Sequence, residues 1–139
     1  MPTVDVPKFA IAVKMSPQAE ERLRSLRERI AINATFDGDP LPGQGRYNPP
    51  NRDVFLGYDE KLVDEKNVAV FDHTRLSLAD YNRLANKNYF VTINVFSARK
   101  VYRDNLLDCG VPIERIETFK GKTVVVDCRL IGEPDSRAR

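Results

Sequence analysis

Thr123-Val124-Val125-Val126-Asp127-Cys128-Arg129-Leu130-Ile131 is the stretch on which the reading of this chain turns. Val124, Val126, Cys128 and Leu130 fall on one side, and Val125, Asp127 and Arg129 on the other. Alternation with period two marks a strand with one buried face. The cysteine on the apolar side has a single counterpart, Cys109, in a polar segment that reads as a turn. A strand cysteine and a nearby loop cysteine suggest a disulfide on a small β-domain, worth roughly 3 kcal/mol on chain-entropy grounds. Reduced core thiols are the alternative. A zinc site needs about four ligands, commonly in close pairs, and the chain has no Cys-x-x-Cys and one histidine, His73. No metal and no cofactor is expected.

The same period recurs upstream. Phe9, Ile11 and Val13 alternate with smaller or polar residues and predict a strand over 6–15. Ile30, Ile32, Ala34 and Phe36 predict a second. Val54, Leu56 and Tyr58 share one face of a short third strand over 53–58, followed by a charged turn over 59–67. Val68 and Val70 mark a weak fourth. Residues 89–97 form the strongest, with Tyr89, Val91, Ile93 and Val95 on one face and two phenylalanines on the other, as in a central strand. Residues 113–119 are a further candidate, and Lys120-Gly121 turns into the last strand.

Helical signals are minor. Ser16-Pro17 is an N-cap followed by proline at the first helical position, and Leu23 and Leu26 give only a thin apolar stripe, so a short surface helix is expected. Ser77-Leu78-Ala79-Asp80 resembles a capping box before one turn over 78–84. Residues 37–51, with three glycines and four prolines, read as a long loop. Residues 98–110 read as a polar connection, and 132–139 as a polar tail. The expected fold is a single all-β domain over 1–139, a two-sheet β-sandwich of immunoglobulin-like or transthyretin-like character with one or two short surface helices. A two-layer α+β domain follows instead if the 17–29 segment is a full helix.

Composition narrows function by exclusion. With 139 residues, 42% hydrophobic and 30% charged, the chain can bury a core unaided. Its 22 basic and 20 acidic residues leave a net charge of +2, which argues against a nucleic-acid binder. No segment approaches the ~20 apolar residues of a membrane span. The opening Met1-Pro2-Thr3-Val4-Asp5 has no basic stretch leading into an apolar run, so no signal peptide is read there. A cytosolic protein and a mature exported domain both fit.

The strand leading into Ser16-Pro17, the stretch Phe36-Asp37-Gly38-Asp39-Pro40, Ser97-Ala98-Arg99-Lys100 with Asp104-Asn105-Leu106-Leu107-Asp108-Cys109, and Cys128-Arg129-Leu130-Ile131-Gly132 together resemble an uncharacterised group of small exported bacterial β-sandwich proteins. The likeness runs in patches over most of the chain. It implies export and a cysteine pair, and no activity.

Candidate chemistry is thin. Asp72-His73 is the one adjacent Asp/His couple, and a triad would need a nucleophile brought in by the fold; a solvent-facing turn is the simpler account. Asp37-Gly38-Asp39 begins like a calcium loop, but Leu41 and Asn48 occupy places where ligands are required. The alternating charges of 20–29, with Glu20 and Glu21 spaced to meet Arg24, read as a solvated helix face. Arg99, Lys100, Tyr102 and Arg103 form the densest basic cluster on a loop and suit an acidic partner or anionic ligand. The loop holding Arg46 and Tyr47 is a comparable surface.

These readings predict a non-catalytic binding domain whose partner is a protein or an envelope component, with contacts at Arg99, Lys100, Tyr102 and Arg103. A periplasmic or secreted location with a Cys109–Cys128 disulfide goes with it. A cytosolic inhibitor or immunity-type protein and a small carboxylate-dependent hydrolase are the rival classes.

Overall fold

The computed structural model describes residues 2–43 and 52–134. In chain order the elements are β1 (Thr3–Asp5), β2 (Phe9–Met15), α1 (Pro17–Leu26), β3 (Ile30–Gly38), β4 (Val54–Leu62), β5 (Val68–Phe71), β6 (Arg75–Ser77), α2 (Leu78–Tyr81), β7 (Phe90–Ser97), β8 (Leu107–Cys109), β9 (Ile113–Arg115), α3 (Ile116–Phe119) and β10 (Thr123–Leu130). Two four-stranded sheets, ordered β5-β2-β10-β8 and β4-β3-β7-β9, make the sandwich expected from the alternation, and β1-β6 form a separate two-stranded ribbon. The 44–51 part of the long loop, with Arg46, Tyr47 and Asn48, and residues 135–139 of the tail lie outside the described residues.

The strands form because their inward positions are apolar and meet across the two sheets. Phe9, Ile11 and Val13 of β2, Val126 and Cys128 of β10, and Ala69 and Phe71 of β5 are buried on one side. Ile32, Ala34 and Phe36 of β3 and Val91, Ile93 and Val95 of β7 are buried on the other. Phe9 stacks on Phe71 at 5.0 Å between ring centroids and meets Phe119 at 5.5 Å. β10 lies parallel to β2, with Val126 opposite Val13, while its other neighbour β8 is antiparallel. β7 runs between β3 and β9, the central place its two-faced pattern predicts.

Several boundaries move. The first strand begins at Phe9, and Thr3–Asp5 pairs separately with Arg75–Ser77. The third strand continues through Leu62, so only its far end is the expected turn. In the fourth, Ala69 and Phe71 face inward, whereas Val70 is 39% exposed. Residues 113–119 divide into a three-residue strand and one helical turn, because Ile116 and Phe119 are spaced for a helix and are both buried. Residues 98–110 contain β8, so Cys109 is a strand residue and not a turn residue. α1 is a surface helix, yet it buries Ala19 and Leu23 against the end of the sandwich. The Ser16 hydroxyl caps it, accepting from the Ala19 N–H at 3.1 Å, and Ser77 caps α2 in the same way.

Tyr58 does not share the Val54/Leu56 face. The β3–β4 register shifts between Phe36 and Asp37, a β-bulge opposite Leu56 and Gly57. One extra residue reverses the parity of everything after it, so Tyr58 is 66% exposed. Gly57 sits there at φ +138°, a conformation that a side chain strains. Replacing Gly57 by Ala is expected to cost about 1–2 kcal/mol in urea unfolding; an unchanged midpoint would mean that the bulge tolerates a side chain.

Candidate functional site

Glu28 follows the left-handed residue Arg27 (φ 55°), which ends α1 without a glycine. That turn sends the carboxylate inward, where the residue is only 8% exposed. One oxygen accepts from the N–H of Arg29 at 2.9 Å and of Lys100 at 3.1 Å. The other accepts from Val101 and Tyr102, each at 2.9 Å. Burial pushes the carboxyl pKa up, and the backbone N–H groups of Tyr102, Val101, Arg29 and Lys100 outweigh it, leaving Glu28 below its ordinary 4.5. Three of the four donors belong to the basic connection between β7 and β8. A buried carboxylate thus sets the backbone of the segment that carries the candidate contacts.

The segment is held at other points too. The Asn105 side-chain oxygen accepts from the Ser97 and Leu107 N–H groups, at 2.9 and 3.0 Å. The Ser97 hydroxyl accepts from the Leu106 N–H at 2.8 Å. Arg99 adopts φ 61°, which for a non-glycine residue stores strain. The side chains of residues 99–103 are exposed around this fixed backbone.

The loop borders the outer face of β4-β3-β7-β9. Register places Glu60, Asn33 and Asn94 in one row across three strands. They line an open depression of about 330 Å³ together with Phe96, Arg99 and Asn105. The Arg99 guanidinium lies over the Phe96 ring, 5.9 Å from its centroid. The Asn33 amide donates to Glu60 at 3.4 Å and its oxygen accepts from the Thr35 hydroxyl at 2.7 Å. A second depression of about 140 Å³ adjoins it, sharing Glu60 and including Leu62 and Lys100. At the opposite end of the face Arg52 and Arg115 both lie against Phe90. Their charges are met by Asp37 at 2.9 Å and by Asp39 at 3.2 Å.

Of the expected contacts, Arg99 and Lys100 reach these depressions, whereas Tyr102 and Arg103 line neither. Cys109 and Cys128 are joined in a disulfide across paired positions of β8 and β10. Asp72 and His73 approach to 3.6 Å with the imidazole 86% exposed, a solvent-facing turn. Asp37 and Gly38 end β3 rather than opening the long loop expected from 37 onward, and Asp39 is buried beside Arg115. Among the described residues no group of acidic, histidine and cysteine side chains is arranged to hold a metal. The Glu20–Arg24 and Glu21–Arg24 pairs form at 3.6 Å as their spacing predicts. Glu28 is the member of that run that leaves the solvated face.

A cleft of about 480 Å³ between α1 and β3 carries Glu20, Glu28, Asp64 and Glu65 over Leu23, Ile30 and Val63. Three of these carboxylates have structural partners. Glu28 holds the loop, Asp64 accepts from the Lys66 and Val68 N–H groups, and Glu20 meets Arg24. No helix among the described residues is long and apolar enough to cross a membrane. The chain matches no protein-family model, no curated protein and no solved structure.

Proposed function

We propose that this protein is a non-catalytic binding domain that takes an acidic partner, a protein or an envelope component, at the loop carrying Arg99, Lys100, Tyr102 and Arg103. The observation that carries this reading is the Glu28 carboxylate, buried to order a loop whose own side chains are exposed. Burying a charge is costly unless it is fully hydrogen-bonded, and a core gains little from fixing an exposed loop. Binding gains directly, because a pre-formed loop loses less entropy on association. Arg99, Lys100 and Arg103 have no carboxylate partner among the described residues, so their charge is open to a ligand.

The Cys109–Cys128 disulfide favours an oxidising compartment, periplasmic or extracellular. Binding is preferred over carboxylate hydrolysis because three of the four carboxylates in the cleft between α1 and β3 have structural partners.

The test is capture of envelope components on immobilised protein, comparing wild type with the Arg99→Ala/Lys100→Ala/Arg103→Ala variant. Capture is expected to fall at least about tenfold, as removal of unscreened contact charges does. The melting temperature should not change, since all three side chains are exposed. Equal capture by both proteins overturns the reading, and a collapsed melting temperature assigns the side chains to the fold.

A further inference from the structure

We infer that the depression over β3 and β7 is a binding site for a sugar unit of an acidic polysaccharide, its carboxylate directed to Arg99, with Lys100 on the adjoining depression. The inference rests on the binding reading above and names a ligand class for it. Sugar hydroxyls both donate and accept hydrogen bonds, and the row Glu60, Asn33 and Asn94 offers both functions on one flat surface. The Asn94 amide is exposed and makes no hydrogen bond to the described residues. Phe96 is the one apolar side chain lining the depression, with the Arg99 guanidinium over its ring. A volume of about 330 Å³ accommodates one ring, and the adjoining depression that shares Glu60 continues the track for a chain.

Charge places the acid group. At the Phe90 end of the same sheet face both arginines are neutralised by Asp37 and Asp39. Arg99 and Lys100, at the loop end, are not paired among the described residues. An anion therefore settles at the loop end, with the neutral part of the ligand over the amides. An acidic peptide would satisfy the two cations, but it brings no row of hydroxyls to Asn33, Asn94 and Glu60. A neutral glycan would use the amides and leave both cations unused. A nucleic-acid strand would find little basic excess on a chain with a net charge of only +2.

The experiment is calorimetric titration of the full chain with hexagalacturonate, cellohexaose and poly-glutamate, repeated on Asn94→Ala. Hexagalacturonate is expected to bind at least about tenfold more tightly than either control. Asn94→Ala should weaken it about tenfold, the equivalent of one hydrogen bond to a charged or strongly polar group, with an unchanged melting temperature. Equal binding of poly-glutamate, with no effect of Asn94→Ala, overturns the sugar site and leaves an acidic-partner loop standing. No binding of hexagalacturonate, while envelope capture through Arg99, Lys100 and Arg103 persists, overturns only this inference. Loss of both overturns the two readings together.

Discussion

Glu28→Ala is expected to lower stability by about 3 kcal/mol at neutral pH and to release the loop between β7 and β8. The alanine leaves four N–H groups, those of Arg29, Lys100, Val101 and Tyr102, without their acceptor. Bonds to a charged acceptor contribute about 1.5–3 kcal/mol each, and water recovers part of this at the loop. Amide exchange at Lys100, Val101 and Tyr102 should accelerate, while amides of β3 and β7 keep their protection. The effect depends on pH in a definite direction. Glu28 titrates below 4.5 in the folded protein, so its contribution is full above the unfolded value and disappears as pH falls through the lowered folded value. The gap between wild type and variant in urea unfolding is therefore widest above about pH 5 and closes in more acidic solution. A gap that is constant with pH, or unchanged amide protection, would remove Glu28 from this role.

The sandwich was legible because the strands over 30–36, 89–97 and 123–131 each bury one clean face, and burial of that face is what holds a sheet together. The role of Glu28 was not. It lies in a run of alternating charge that is indistinguishable from a helix surface until the helix stops, and the stop at Arg27 carries no glycine to announce it. β8 was missed because it is three residues long with Leu107 alone fully buried. Gly57, by contrast, is a readable sign: a glycine inside a strand pattern marks a bulge, and the exposure of Tyr58 follows from it. The Glu60, Asn33 and Asn94 row escapes any reading of single segments. Each is an ordinary outward residue of its own strand, and only the register between strands brings the three together. The basic loop residues were visible by density alone, but density did not show that Arg99 and Lys100 line the depressions on the sheet while Tyr102 and Arg103 line neither.

Reducing the Cys109–Cys128 bond is expected to cost about 3 kcal/mol, the value for closing a loop of this length in the unfolded chain, and to lower the melting temperature by roughly 10 °C. Protein taken from its native host should accept a thiol-blocking reagent only after reduction; two thiols open at the start would place it in a reducing compartment. The local consequence exceeds the global one. β8 is an edge strand with three paired residues, Leu107, Asp108 and Cys109, against β10. Without the covalent link its far end depends on an exposed Arg129–Asp108 pair at 3.3 Å and on few backbone bonds. The segment between β7 and β8 is thus held near its start by Glu28 and just past its end by the disulfide, with Asn105 between them tied back to Ser97. Two restraints on one segment do not act independently. Once Glu28→Ala has loosened the loop, reduction has less order left to remove, and the two effects together should fall short of their sum by about 0.5–1 kcal/mol. Strict additivity in that double-perturbation cycle would mean that the disulfide stabilises the sheet alone and that the loop between β7 and β8 takes its shape from Glu28.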